Sequence, residues 1–134
     1  MAVLALAPTP RPAANLYSLS NVTVYDGDTL VDCDIDLGFN VTLRQQDVRL
    51  LGFDAAEVSR VRRGIVITEA EIALGKQARD ELREMLVDGQ PYLAPPPHGD
   101  KADPFGRQHG YLYVLIGDEW IDVAEWAKER GFAR

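Results

Sequence analysis

Asn21-Val-Thr-Val-Tyr-Asp-Gly-Asp-Thr-Leu-Val-Asp-Cys-Asp-Ile-Asp-Leu37 reads as two β-strands joined by a tight turn. Val22 and Val24 alternate with polar neighbours, as in a half-buried strand, and the run extends back to Leu16. Asp26-Gly27 is a strong short hairpin signal. The second strand, from Thr29 to about Leu37, carries Leu30, Cys33, Ile35 and Leu37 as its apolar residues. That series passes from even to odd positions, which predicts a bulge of the kind that curves a barrel strand. Gly38 and Asn40 then mark a turn. Phe39, Val41 and Leu43, followed by Val48, Leu50 and Leu51, predict a third, long or bent strand ending near Phe53.

Downstream the period changes. Thr68 with Glu71 forms a capping-box pattern, and Ile72, Gly75, Ala78, Arg79, Leu82, Met85 and Leu86 recur at helical spacing up to Asp88-Gly89. A short strand, Pro91 to Ala94, leads into the rigid loop Pro95 to Gly106. His109 to Ile116 alternates as a strand, and Gly117-Asp118 is expected to turn the chain into a last helix, Ile121 to Arg130, stopped by Gly131. Three strands, a helix, two strands and a helix do not make the regular βαβ alternation of a parallel sheet. The expectation is a mainly β chain with helices (α+β): an OB-fold, five-stranded Greek-key β-barrel with two helices.

With 134 residues the chain suits a single domain. Pro8, Pro10 and Pro12 make residues 1–15 an extended, proline-rich arm, and residues 16–134 the domain. The lone cysteine, Cys33, excludes an internal disulfide and a cysteine-rich zinc site. Two histidines, His98 and His109, exclude a histidine cage, so any metal is expected to be a hard ion on carboxylates. No apolar stretch approaches the ~20 residues that span a bilayer. The apolar start, Met1 to Ala7, has no basic residue before it and reads as an ordinary terminus. The expected location is cytoplasmic, or the interior of an infected cell if a virus encodes the chain. A net charge of −7 argues against broad coating of nucleic acid, which needs lysine and arginine, but leaves room for local positive charge.

Three segments concentrate chemistry: Asp26-Gly27-Asp28-Thr29, Arg49 to Glu57, and Asp103-Pro-Phe-Gly-Arg107. Hydrolysis of a phosphodiester needs a cation on the nonbridging oxygens, an activated water, and positive charge that follows the transition state. Carboxylate oxygens suit a hard cation and bidentate arginine suits phosphate. These segments resemble, in order and separation, the three signature blocks of the staphylococcal-type nuclease (thermonuclease) family. The resemblance covers about Asn21 to Arg134, including the last helix.

Carried over by position, the resemblance implies a calcium-dependent nuclease that acts on DNA or RNA, a monomer away from membranes. Asp28 and Asp54 match the calcium ligands, and Ala55 stands where the family gives a backbone carbonyl to the metal. Glu57 matches the carboxylate that positions or deprotonates water, and Arg49 and Arg107 match the arginines on the scissile phosphate. The implied product is a 3′-phosphate, with the 5′ oxygen leaving. This chain has Ala55-Ala56 where the family commonly has Thr-Pro, and Phe105 where it has tyrosine. No counterpart of the family's nucleotide-stacking tyrosines occurs up to Arg134, so base stacking is expected to be weaker or differently arranged.

Each motif also has a plainer reading. Asp26-Gly-Asp28 serves equally as a turn, Arg49 as half of a structural ion pair with Asp54 or Glu57, and Asp103 and Arg107 as surface loop. Asp32, Asp34 and Asp36 read as a solvated strand face. Arg60, Arg62 and Arg63 form the dense basic patch, read as a nucleic-acid backbone contact or a solvated loop. Tyr111 and Tyr113 share a strand face and either stack a nucleotide or pack the core. His98 and His109 are expected to have no catalytic part, and Trp120 and Trp126 to pack core and rim. Two alternative functions follow: an OB-type module that binds nucleic acid or protein with a lapsed nuclease site, and an Asp-x-Asp phosphatase, which the missing βα repeats disfavour.

Overall fold

The computed structural model describes residues 11–12, 15–55, 61–62, 65–66, 68–97 and 103–133. Nine strands and two helices follow in order among them: β1 (Tyr17–Ser20), β2 (Thr23–Asp26), β3 (Thr29–Gly38), β4 (Val41–Leu50), β5 (Val61–Arg62), β6 (Ile65–Val66), α1 (Glu69–Asp88), β7 (Gln90–Ala94), β8 (Gln108–Ile116), β9 (Glu119–Asp122) and α2 (Val123–Glu129). Most of the arm, residues 1–10 and 13–14, lies outside the described residues, as do Glu57, Arg60, Arg63, His98 and the side chain of Arg62.

Five strands close on themselves. β1 pairs antiparallel with both β3 and β7, β3 with β4, and β7 with β8, while β4 and β8 run parallel and complete the ring. The closed ring leaves β1 without a free edge. The parallel pair needs a long crossover, which α1 supplies. The result is the OB-fold-like, mainly β barrel with two helices that the strand order predicts.

Local chemistry explains where elements break. The expected first strand is two, because Asn21 takes a left-handed φ of 54° between β1 and β2. Asp32, at φ 55°, is the residue at which the apolar phase of β3 changes, and the β3–β4 register shifts between Leu30 and Cys33. Phe39 and Asn40, at φ 55° and 63°, form the β3–β4 turn, so Phe39 is fully exposed there and is not part of the third strand. β4 ends at Leu50, three residues before the expected end. The last helix also needs correction. Residues 119–122 form β9 on β8, so Gly117-Asp118 is a hairpin turn, and α2 starts only at Val123, where the Asp122 side chain accepts from the Ala124 and Glu125 N–H groups. The stretch after Ser59 likewise contains the β5–β6 pair.

Inside the barrel stand Leu19, Leu30, Cys33, Ile35, Val48, Leu50, Leu93, Leu112 and Val114. Thr68 caps α1 by accepting from Glu71 N, and the helix buries Ile72, Gly75, Ala78 and Leu82 at i, i+3 and i+4 spacing. Each fully buried leucine of this kind contributes about 1.5–3 kcal/mol relative to exposure. Trp120 and Trp126 are buried as packing residues, Trp126 edge-on to Phe132 with ring centroids 5.4 Å apart. One glycine positions the site: a Cβ on Gly27 would lie 2.8 Å from the Ala55 Cβ and 3.3 Å from the Ala78 Cβ. Its absence lets helix α1 and the loop after β4 both close onto the β2–β3 turn. Among the described residues no helix is long and apolar enough to cross a membrane.

Candidate active site

The β2–β3 turn holds Asp26 and Asp28 side by side. Asp26 Oδ1 accepts from the Asp28 backbone N–H at 3.0 Å. Asp28 is largely buried and has both oxygens engaged: Oδ1 accepts from the Thr29 hydroxyl at 3.2 Å, and Oδ2 from the Ala55 N–H at 2.8 Å. A 27-residue separation is thus bridged by one carboxylate, which fixes the loop after β4 against the turn. The second segment adds Arg49, whose Nη1 stands 3.4 Å from Asp28 Oδ2 and whose Nη2 pairs with Asp54 Oδ1. The same guanidinium donates to the Leu50 and Phe53 carbonyls. Asp54 is two-thirds exposed at 64%, whereas Arg49 keeps 21% of its side-chain surface. Asp54 is therefore the member of the pair that water or a ligand reaches first.

Burial pushes the Asp26 carboxyl up to about 7, and the hydrogen bond and like charge of Asp28 add to the rise. The folded state then binds more protons than the unfolded chain between about pH 4 and 7, so this group lowers stability as pH rises through that window. Asp26→Asn, which keeps the oxygen that accepts from Asp28 N, is expected to be more stable than the wild type at pH 8 in chelator, by on the order of 2 kcal/mol, and no more stable at pH 4. Urea unfolding at the two pH values measures this, and an equal stability difference at both refutes it.

The donor chemistry suits a hard divalent cation: the oxygens of two carboxylates, Asp28 and Asp54, with the Ala55 carbonyl next along the chain. Among the described residues no group of three or more His, Cys, Asp or Glu side chains is gathered to hold a metal ion. A cation here would thus draw on backbone, solvent or phosphate oxygens besides the two aspartates. A cavity of about 480 Å³ opens at this place, lined by Arg49, Leu50, Leu51, Gly52, Phe53, Asp54, Lys128 and Ala133. Lys128 and Ala133 come from α2 and its end, with Ala133 bridged to Ala55, and the three sequence blocks give no sign of their part.

The third block forms its own cluster. Asp103, expected as surface loop, keeps only 2% of its side-chain surface. Its Oδ1 accepts from Phe105 N at 2.6 Å, and its Oδ2 from Arg107 Nε at 3.1 Å and His109 Nε2 at 2.5 Å. The hydrogen bond from His109 chiefly holds the Asp103 carboxyl down to about 2, with the Phe105 N–H and Arg107 adding. Arg107 lies 5.5 Å from the Phe105 ring centre. The parallel β4–β8 register ties the two clusters together, for Arg49 is the partner of His109. Val48 and Leu50 point into the barrel, as do Gly110 and Leu112, so Arg49 and His109 share the outer face, and Arg107 stands just before β8.

Other expectations resolve individually. Asp34 is buried, not solvated: it clamps Asn21 Nδ2 at 2.8 Å and Gln45 N at 3.0 Å, and these bonds hold its carboxyl below the usual range. Asp32 and Asp36 are exposed. Tyr111 and Tyr113 lie on the outer face of β8, not in the core, and line a groove of about 730 Å³ with Pro12, Asn15, Ala94 and Pro95 to Pro97. Of the expected site, the structure brings together Asp28, Arg49, Asp54 and Ala55, and sets Arg107 on the neighbouring strand entrance. Glu57, Arg60, Arg63 and the Arg62 side chain lie outside the described residues. In the sequence Asp103 reads as part of its block and His109 as without a part; the spacing Asp103-x-x-x-Arg107-x-His109 that joins them carries no weight until the loop closes. No family model matches the chain, and no curated protein matches it.

Proposed function

We propose that the chain is a calcium-dependent nuclease that hydrolyses phosphodiester bonds of DNA or RNA. The observation that carries this reading is the assembly of Asp28 and Asp54 around Arg49, with Arg107 held just before the adjoining strand. Asp28, Asp54 and the Ala55 carbonyl would hold calcium, which when bound supplies positive charge to a nonbridging phosphate oxygen. Arg49 and Arg107 then orient the phosphate and follow its charge. Among the described residues Arg107 bonds to Asp103 through Nε, and its two terminal nitrogens would form the fork for phosphate. Arg49 exchanges the exposed Asp54 carboxylate for phosphate when substrate enters. Glu57, in keeping with the resemblance, would hold the attacking water, and in-line attack would leave a 3′-phosphate. The remaining parts of the reading are a monomer in the cytoplasm or an infected cell, with Arg60, Arg62 and Arg63 on the nucleic-acid backbone and Tyr111 and Tyr113 stacking bases along their groove.

Arg49→Lys is the test of the arginine's role, because lysine keeps the charge but not the planar fork. Cleavage of a labelled oligonucleotide at millimolar calcium is expected to slow by about 10²-fold. A variant as fast as the wild type would remove Arg49 from the reaction. One observation favours a second reading, a barrel that binds nucleic acid without cutting it: Phe105, in place of a tyrosine, is 72% exposed and offers a stacking face but no hydroxyl. Retention of intact oligonucleotide in calcium would support that reading.

A further inference from the structure

The reaction as proposed uses the third block only through Arg107, yet His109 is built into the same cluster. Its Nε2 meets Asp103 Oδ2, the oxygen that also accepts from Arg107 Nε. Since Asp103 remains an ionised acceptor across the neutral range, the shared proton belongs to the imidazole, and neutral His109 is the Nε2–H tautomer. The ring is thereby held in one orientation by a carboxylate that is itself nearly inaccessible. The register places His109 beside Arg49, on strands about 4.8 Å apart and on the same outer face. Arg107, two residues earlier and just before β8, is tied to it through the shared Asp103 carboxylate.

We propose that His109 is a third anion-binding group of this site and makes its grip on a phosphodiester depend on pH. As imidazolium it adds a positive charge beside Arg49 and Arg107; as neutral imidazole it adds none. The inference rests on the phosphodiester reading of the same site. Among the described residues, the charged groups near it include Arg49 from β4, with Asp28 and Asp54 behind it, and Asp103 and Arg107 from the entrance to β8. Asp26 on the β2–β3 turn, its carboxyl raised to about 7, also changes charge across the neutral range, so the effect of His109 is the difference between the wild type and a His109 variant, not the wild-type profile alone. A unit charge about 8 Å from the phosphate, in surroundings between water and protein interior, alters affinity about fivefold.

The experiment titrates metal-free protein with the dinucleotide TpT, whose one phosphodiester charge is constant across the range, and follows binding by NMR at pH 5.5 and 8.5. The gain in affinity at the lower pH is expected to be about fivefold larger for the wild type than for His109→Gln. An identical gain in both overturns the role of His109 alone. Absence of binding by the wild type at either pH overturns the phosphate site and this inference together. A second measurement needs no variant: by reciprocity, saturating TpT moves the ring titration of His109 to higher pH by the logarithm of the same factor. A titration that TpT leaves unmoved overturns the proposal.

Discussion

Asp28→Asn is expected to slow calcium-dependent cleavage of single-stranded DNA by about 10³-fold while the circular dichroism spectrum stays that of the wild type. The size follows from the position of the carboxylate. Asp28 is joined to β4 and the loop after it at two points, through Arg49 and Ala55 N–H. Replacing it by a neutral amide removes the charge from the proposed calcium ligands and leaves Arg49 with Asp54 as its carboxylate partner among the described residues. The fold is expected to survive, because the asparagine carbonyl still accepts from Ala55 N–H and its amide still meets the Thr29 hydroxyl. Stability then changes by about 1 kcal/mol, the net worth of one hydrogen bond. Single-turnover cleavage across a calcium titration checks it. Unchanged turnover removes Asp28 from any metal role, and loss of the circular dichroism signal marks it as a structural clamp only.

The largest stability effect is expected at Gly110. A Cβ there would stand 2.7 Å from Leu93 Cγ, 2.8 Å from Leu93 Cδ1 and 2.9 Å from the Ala94 carbonyl oxygen. The leucine can turn away, but the backbone oxygen belongs to the β7–β8 ladder and cannot. Gly110 also accepts from Leu51 N at 2.8 Å, at the end of the parallel β4–β8 pair, so strand β8 has little freedom to retreat. Gly110→Ala is therefore expected to cost about 2–3 kcal/mol, the usual range for an overpacked site, and to lower the melting temperature by about 10 °C. Thermal melting and urea unfolding measure it. A variant as stable as the wild type would show that β7 and β8 do not approach this closely.

How far the sequence reveals the molecule depends on the distance over which each signal acts. The capping pair Thr68 and Glu71, the helical spacing of Ile72, Gly75, Ala78 and Leu82, and the change of phase between Leu30 and Cys33 are local, and each is found where the sequence puts it. β9 was hidden because Glu119-Trp-Ile-Asp is as compatible with a first helical turn as with a strand. Pairing to Tyr113 through Ile116 decides it, and that contact is not local. The site divides in the same way. Asp28, Arg49 and Asp54 stand out as acidic and basic residues where barrel strands end, and the fold gathers them. Asp103 stands out only as part of its block, with a surface-loop reading beside it, and His109 does not stand out. A loop aspartate and a lone histidine are ordinary residues until the Asp103 carboxylate is buried against Arg107 and His109. Asp34 shows the reverse error: an alternating acid on a strand looks solvated, but the break at Asn21 folds an amide onto it.

The central claim is that these carboxylates and arginines cut phosphodiesters with calcium. End-labelled single- and double-stranded DNA and RNA, incubated with the full chain at millimolar calcium and in chelator, test it most directly. Calcium-dependent shortening to fragments with 3′-phosphate ends is the predicted result. Oligonucleotide that stays intact in calcium, whether bound or free, would contradict it.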